Sequence, residues 1–249
     1  MRLVTLFLAA LLAAITLTQR PAAAADLALV LLTDVSGSMD GAEYAMVKDG
    51  YRAAFADPEV VAAITANGRG VAVTYVEFSD AANFRIVRGW ALLTDGASAR
   101  AFGDSVAAAP RSSTGNTALA ASLRQATTLL LEADFGDARK VIDVASDHPR
   151  DGGRSGPVRD RAVEAGITIN ALPILEKSQY KSFDGRTNTA SIEWRASAMA
   201  AFYRQYVIGG AGSFLIEASD YSAFGEALKR KLLRELIAGD EMQEASAHL

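Results

Sequence analysis

The chain has 249 residues, half of them hydrophobic, with 25 Lys and Arg against 29 Asp and Glu. This length suffices for one well-packed domain, and the composition is unlike that of disordered or fibrous proteins. The mildly acidic net charge of −4, without a basic patch, argues against nucleic acid as a partner. Cysteine is absent, so the cellular compartment has to be inferred from other features.

The first 25 residues have the order of features found in a secretory signal peptide. A basic start at Arg2 precedes an apolar run over residues 3–17, and a polar break then leads to an alanine-rich stretch. Spanning a bilayer takes about 20 apolar residues, so this order favours a cleaved signal over a membrane anchor. We therefore expect residues 1–25 to be removed. The product would be exported, either periplasmic or secreted, with no stable membrane insertion after cleavage.

After the signal, strand-like and helix-like segments alternate along the chain. The first half predicts a strand over 27–33, a helix over 39–56, strands over 70–79 and 84–93, and a helix over 96–108. The second half predicts a helix within 114–133, a strand over 140–146, a helix over 158–165, a strand over 166–174, a helix over 191–208, a strand over 213–218 and a closing helix over 221–236.

This alternation is typical of a Rossmann-like α/β fold, with a mostly parallel central sheet and helices on both faces. The short turn after residue 79 predicts an antiparallel edge strand. No linker is long enough to divide the chain, so we expect one domain over residues 26–238. Gly239 suggests the end of the closing helix, and residues 239–249 are expected to form a flexible C-terminal tail.

The first predicted strand ends in Asp-Val-Ser-Gly-Ser, which raises the question of what these polar residues do. Ligands of open α/β sheets bind beyond the carboxyl ends of the strands. Asp34, Ser36 and Ser38 alternate there, so their oxygens can point to one side, and oxygen ligands suit Mg²⁺ or Mn²⁺. Thr117, at a helix entry, and Asp147, just past a buried strand, could supply further oxygens. The alternative is that the Asp and Ser residues are ordinary turn and helix-capping residues.

The ordered series of motifs resembles the von Willebrand factor A (VWA) domain and its metal-ion-dependent adhesion site (MIDAS). It is closer still to the DUF1194 family, a bacterial subfamily of uncharacterised exported proteins. The resemblance runs from residue 27 to about residue 236 and is carried by LALVLLTDVSGSMD, VAVTYVEFS, GNTALAASL, KVIDVASD, GITINALPI, YRQYVIGGAGSF and FGEALKRKLLRE. It implies direct or water-mediated metal contacts from Asp34, Ser36, Ser38, Thr117 and Asp147.

Two of these assignments have alternatives. Thr117 is preferred over Thr114 because the family's Thr is followed at once by a helix. Asp143 is a second carboxylate near Asp147, but it lies within the predicted strand and is expected to be structural. The family usually has Gly after the position of Asp147, whereas His148 follows here. This departure leaves the shape of the loop open.

Such a site would hold its metal incompletely, because two carboxylates and neutral hydroxyls do not neutralise and enclose a divalent ion. Mg²⁺ takes six oxygens and usually keeps several waters, so a carboxylate from a partner protein could replace one of them. The sequence therefore predicts an exported VWA-like domain that is not an enzyme. It would bind Mg²⁺ or Mn²⁺ at a MIDAS-type site and use it to bind an unidentified protein.

Two other classes of function stay open. A metal-dependent phosphoryl-transfer enzyme would also place Asp34 at the end of the first strand, but it usually needs a second carboxylate and a cation for the phosphate. A metal-free scaffold protein is the second alternative. A serine hydrolase is disfavoured, because the chain has only two histidines, His148 and His248, and no G-x-S-x-G motif. Trp90 and Trp194 are expected to serve packing.

Overall fold

The computed structural model of the chain describes residues 24–147, 153–175 and 189–247. These residues form a five-stranded sheet in the order β3-β2-β1-β4-β5. The strands are β1 (Leu27–Asp34), β2 (Val71–Phe78), β3 (Phe84–Leu93), β4 (Arg139–Ser146) and β5 (Ile167–Pro173). The pairs β1–β2, β1–β4 and β4–β5 are parallel, and β3 runs antiparallel to β2 at the edge. The predicted fold class is thus confirmed.

The helices cover both faces of this sheet. They are α1 (Gly41–Ala56), α2 (Pro58–Ala66), α3 (Gly96–Ala108), α4 (Leu119–Glu132), α5 (Ser155–Glu164), α6 (Thr189–Phe202) and α7 (Phe224–Ala247). Helices α1, α2, α3 and α7 pack on one face, whereas α4, α5 and the π-helical turn Tyr203–Val207 pack on the other. In the described part of the chain, no helix is long and apolar enough to cross a membrane.

Strand β1 lies at the centre of the core, and all eight of its residues are buried. Leu27, Leu29 and Leu31 point to the face of α1 and α7, and the alternate residues point to the other face. Each such fully buried aliphatic side chain contributes about 1.5–3 kcal/mol relative to an exposed one. The two layers of helices therefore pack on this strand. Its unbroken apolar run had predicted a strand buried on both faces.

Helix α2 is absent from the sequence prediction, although its start signal is present. Asp57 caps α2 by accepting hydrogen bonds from the Glu59 and Val60 amides, and Pro58 occupies the first turn. The pair Asp57-Pro58 thus ends α1 and starts a second helix in a new direction.

The segment 213–218, predicted as a strand, makes only isolated bridges to β5 and the residue after it, at Ala171↔Leu215 and Ile174↔Ala218. Two features prevent a continuous ladder. Pro173 has no amide hydrogen to donate, and the Phe214 amide donates to the Asn170 side chain instead of to a backbone carbonyl, at 3.0 Å.

Three further predictions differ in their limits. Helix α5 begins at Ser155, before the expected start, and the helix expected over 191–208 is divided into α6 and the π-helical turn. Helix α7 begins after a 3₁₀ turn and continues past Gly239, since one glycine in a helix costs only about 1 kcal/mol.

Trp90 packs edge-to-face on Phe135, with ring centroids 5.0 Å apart. The side chain of Trp194 and nearly all of the expected signal peptide lie outside the described residues.

A buried charged cluster joins α7 to the middle of the sheet. The Lys231 ammonium is fully buried, donates to Glu235 Oε1 at 2.6 Å and forms an ion pair with Asp143. Asn170 Nδ2 donates to the same Glu235 oxygen at 3.0 Å. Burial, followed by the negative charge of Glu235, raises the pKa of Asp143 to about 7. Asp143 is thus part of the core, as the sequence predicted.

Replacing Lys231 with Met should strongly destabilise the protein, because it leaves Asp143 and Glu235 buried without a counter-charge. We expect the free energy of unfolding, measured by urea denaturation, to fall by about 3–5 kcal/mol. Lys229→Met is the matched control: Lys229 lies on the same helix, but its ion pairs with Asp57 and Glu59 are at the surface. This control should change stability far less. Equal losses in the two variants would contradict the role assigned to Lys231.

Candidate functional site

The loop after β1 begins with a buried carboxylate. Asp34 is the last residue of β1 and is 2% exposed. Its Oδ1 accepts a hydrogen bond from the Ser36 amide at 2.8 Å, and its Oδ2 accepts one from Ser146 Oγ at 2.6 Å. The Asp34 side chain is therefore fixed by its own loop and by the neighbouring strand β4.

The hydroxyls of Ser36 and Ser38 are not used to start helix α1. Asp40 caps that helix, because its carboxylate accepts hydrogen bonds from the Ala42 and Glu43 amides. Ser36 Oγ and Ser38 Oγ lie 3.2 Å apart, within hydrogen-bond distance of each other. Helix capping, the alternative explanation of these two serines, therefore does not account for them.

Thr117 and Asp147 join the two serines from separate loops. Thr117 lies two residues before α4, and its Oγ1 donates to Ser36 Oγ at 3.0 Å. Asp147 directly follows β4, and its Oδ1 accepts from Ser38 Oγ at 3.1 Å. The five residues singled out in the sequence thus form one hydrogen-bonded cluster at the carboxyl edge of the sheet, in which the Asp34 carboxylate joins through the Ser36 amide. Their role as metal ligands stays a prediction.

The alternative residues lie outside this cluster. Thr114 is exposed to solvent on the loop before Thr117, and Asp143 pairs with Lys231 in the core. The loop that begins at His148 lies outside the described residues.

Arg111 fastens the loop of Thr117 to the loop of Asp34. Its guanidinium donates to the carbonyl oxygens of Val35 and Ser36, each at 2.7 Å. Next to it, the Gly37 amide donates to the Gly115 carbonyl at 2.8 Å. These contacts fix the distance between two loops that are about 75 residues apart in sequence. Sequence reasoning missed Arg111, since no local pattern indicates a contact of this range.

Glu77 holds the loop of Arg111 and Thr117 through a hydrogen bond from the buried strand β2. It is fully buried in β2 and its Oε1 accepts hydrogen bonds from Tyr44 at 2.8 Å and from Lys48 at 3.2 Å. Its Oε2 accepts from the Ser112 amide at 2.8 Å, directly beside Arg111. One signal for Glu77 was present in the sequence, because a glutamate near the end of a mostly apolar strand needs buried partners.

The site concentrates negative charge in a buried place. The pKa of Asp34 is raised to about 6, mainly by burial; the hydrogen bond from Ser146 opposes this rise, and the nearby charge of Asp147 contributes to it. Tyr221, in the 3₁₀ turn before α7, lies beside the same carboxylates. Its burial, and then the charge of Asp147, hold the pKa of Tyr221 well above its ordinary value. Sequence reasoning assigned Tyr221 only to the apolar stripe of the closing helix.

The available donors are two carboxylates and three hydroxyls, all of them oxygens. Among the residues that the structure describes, no group of three or more His, Cys, Asp and Glu side chains gathers as metal ligands. An all-oxygen set with two carboxylates fits a hard divalent cation such as Mg²⁺ or Mn²⁺. A cation there would also offset the repulsion between Asp34 and Asp147.

Several solved structures share this fold at low sequence identity. A structure of proximal thread matrix protein 1 (PTMP1) from the mussel byssus, with a zinc-occupied MIDAS motif, has a TM-score of 0.55 and 15% identity, covering 86% of this chain and 47% of that chain. The pilus adhesin SpaC from Lactobacillus rhamnosus GG gives 0.54 and 16%, covering 85% and 30%. A von Willebrand factor type A protein from Catenulispora acidiphila gives 0.53 and 17%, covering 85% and 43%.

The chain thus spans less than half the length of each of these three proteins. Identities this low show similarity of fold alone. No protein of curated function matches the chain.

One family model, described as "Protein of unknown function (DUF1194)", matches residues 24–240. This range includes the whole sheet and all five residues of the hydrogen-bonded cluster. The resemblance carried by the motifs is therefore confirmed, and the chain belongs to the DUF1194 family, with a VWA-like fold.

Proposed function

We propose that this protein is an exported binding domain that uses a divalent cation to hold another protein. Asp34, Ser36, Ser38, Thr117 and Asp147 would bind Mg²⁺ or Mn²⁺, some of them directly and some through water. A carboxylate from the partner would complete the coordination of the cation.

The observation that carries this proposal is the convergence of the five oxygen-bearing side chains. Three loops bring them together, and successive oxygens lie 3.0–3.2 Å apart from Thr117 through Ser36 and Ser38 to Asp147. Hydroxyls that hydrogen-bond to one another can exchange those bonds for a cation without rebuilding the loops. The contacts of Arg111 hold two of these loops at a fixed spacing.

The burial of the individual groups supports binding of a partner from outside. Asp34 and Asp147 are 2% and 5% exposed, whereas Ser38 and Gly37 are exposed to solvent. The two carboxylates and Ser36, which is 3% exposed, therefore lie below the surface, and Ser38 lies on the open side. Because neutral hydroxyls leave most of the cation's charge uncompensated, an incoming carboxylate would be attracted to it.

The structural relatives support the same reading. One of them is described with zinc in its MIDAS motif, and another is a pilus adhesin. Phosphoryl transfer is less well supported by the site, because the nearby guanidinium of Arg111 already binds two backbone carbonyls instead of facing an open position. The assignment as a binding protein and not an enzyme is accordingly part of this proposal.

Metal binding should depend on Asp34. Titrating Mn²⁺ or Mg²⁺ by calorimetry should show binding to the wild type, and Asp34→Ala should abolish it, because this variant loses a charged ligand. Ser36→Ala and Ser38→Ala should weaken binding without abolishing it, since water can replace a neutral oxygen. Asp80→Asn is the matched control: Asp80 also follows a strand at this edge, but it hydrogen-bonds within its own turn.

Unchanged Mn²⁺ affinity in Asp34→Ala would refute a metal site at Asp34, and no Mn²⁺ or Mg²⁺ binding by the wild type would favour the metal-free scaffold. Turnover of generic phosphoesters by the wild type, lost in Asp34→Ala, would instead favour the phosphoryl-transfer enzyme.

Partner binding should depend on Thr117 more than metal binding does. Thr117 comes from a separate loop and can change between direct and water-mediated contact when a partner carboxylate arrives. In a pull-down from an extracytoplasmic extract, wild type should retain a protein that chelator releases. Thr117→Ala should lose most of that protein while its Mn²⁺ affinity falls only modestly. Thr114→Ala is the control and should behave as wild type. Retention that is independent of chelator would refute the metal-mediated mode of binding.

Export should leave Asp26 as the first residue. N-terminal sequencing of the protein from the extracytoplasmic fraction tests this directly. A cytosolic product that retains Met1 would show that the protein is not exported.

A further inference from the structure

A cavity of about 620 Å³ lies at the end of the sheet where β4 and β5 begin, opposite the end that carries the five-residue cluster. The eight-residue strand β4 separates it from the edge that carries the proposed metal site, a distance of roughly 25 Å. The lining includes exposed residues of α7, Arg234 and Ile237, as well as buried ones, Asn170 and Phe214. The cavity therefore opens to solvent and extends inward, and its volume lies in the range of about 300–1,000 Å³ that is usual for small-molecule sites.

Much of the wall is apolar. Val141 and Ile167 line it from the sheet, Val163 from α5, Phe214 from the segment beside β5, and Ile237 from α7. Of these, Ile237 is 49% exposed, so the mouth of the cavity also carries apolar surface. A ligand with an apolar body would cover this surface and gain about 25 cal/mol per Å² of apolar area removed from water.

The polar part of the lining is mainly cationic. Arg139, Lys140 and Arg234 line the cavity, although the whole chain has a net charge of −4. Glu235 is the acidic residue among the described lining residues, and its Oε1 is bound by Lys231 at 2.6 Å, so the three cations outnumber the one carboxylate. The lining thus has an excess of positive charge.

Two of the three cations are held in place before any ligand arrives. Arg139 Nη2 donates to the Glu235 carbonyl at 2.8 Å. The Arg234 guanidinium lies 4.1 Å from the centroid of the Phe214 ring, in cation–π contact. Fixed guanidinium groups lose less freedom when they bind an anion, and their planar donors match a carboxylate or a phosphate.

We propose that this cavity binds a small amphipathic anion, a carboxylate or phosphate carried on an apolar body. The headgroup would be held by the cationic side chains, Arg234 among them, and the apolar body would lie against Phe214 and Ile237. This site is independent of the proposed metal site, because it uses the other ends of the strands and shares no residue with it.

The probes are octanoate and octyl phosphate, with octanol as the uncharged control, each below the concentration at which it aggregates. Calorimetric titrations are made with chelator present, so that no metal can take the headgroup. At least one anion should bind about tenfold or more tightly than octanol, which corresponds to 1.4 kcal/mol or more. The tighter of the two identifies the preferred headgroup. Equal binding of octanol, or no binding of either anion, would overturn the proposal.

Arg234→Ala locates the binding. It should lower the affinity for the anion about tenfold or more while leaving octanol unchanged, since the variant removes charge from the mouth of the cavity. The control is Arg124→Ala, an exposed arginine on α4 outside the cavity lining, which should bind as wild type. Asp34→Ala should bind the anion normally, which separates this site from the metal site. If Arg234→Ala and Arg124→Ala have equal effects, the anion binds elsewhere and the proposal fails.

Discussion

The parallel register of three strands is the constraint on which the site depends. Strand β1 pairs with β2 from Leu27↔Val71 to Asp34↔Phe78, and with β4 up to Thr33↔Ala145. Because these strands run side by side and end at the same level, the residues that follow them emerge together. Asp34 is placed where the Ser146 hydroxyl can reach it, and the residue after Ser146 is the second carboxylate of the cluster. The order of strands in the sheet thus brings together groups that lie over 100 residues apart in the chain.

This constraint also explains how much the sequence could predict. Unbroken apolar runs identify buried strands, and the end of such a strand locates polar groups at a known edge, which indicates four of the five residues of the cluster. Thr117 lies before a helix and was indicated by that helix entry and by the family resemblance. The boundary between α1 and α2 at Asp57-Pro58 was also predictable, because the capping residue and the proline are local signals. The interrupted ladder beside Pro173 depends on which segment becomes its neighbour. The roles of Arg111 and Glu77 depend on contacts between distant loops, which no periodicity or spacing encodes.

Two buried lysine–glutamate pairs lie on the same face of the sheet, one near each end of the strands. Lys48 and Glu77 lie beneath the loop of Thr117, whereas Lys231 and Glu235 lie behind the cavity. Burying charge is costly, and such pairs are seldom a source of net stability, but removing one partner is strongly destabilising. The pair of Lys48 and Glu77 therefore fixes α1 against β2. Lys231 and Glu235 both belong to α7, and this helix is fixed to the sheet by the ion pair of Lys231 with Asp143 and by the hydrogen bond from Asn170 to Glu235.

Helices α1 and α7 approach each other so closely that their backbones touch. A Cβ atom on Gly50 would lie 2.6 Å from Phe224 Cδ1 and 3.1 Å from Gly225 Cα. Helix α1 starts just after the first loop of the proposed metal site, and α7 carries one wall of the cavity. Gly50 and Gly225 together set the spacing of the two helices. A side chain at either position would push the two helices apart. One substitution outside both proposed sites would therefore change the geometry of the five-residue cluster and of the cavity together.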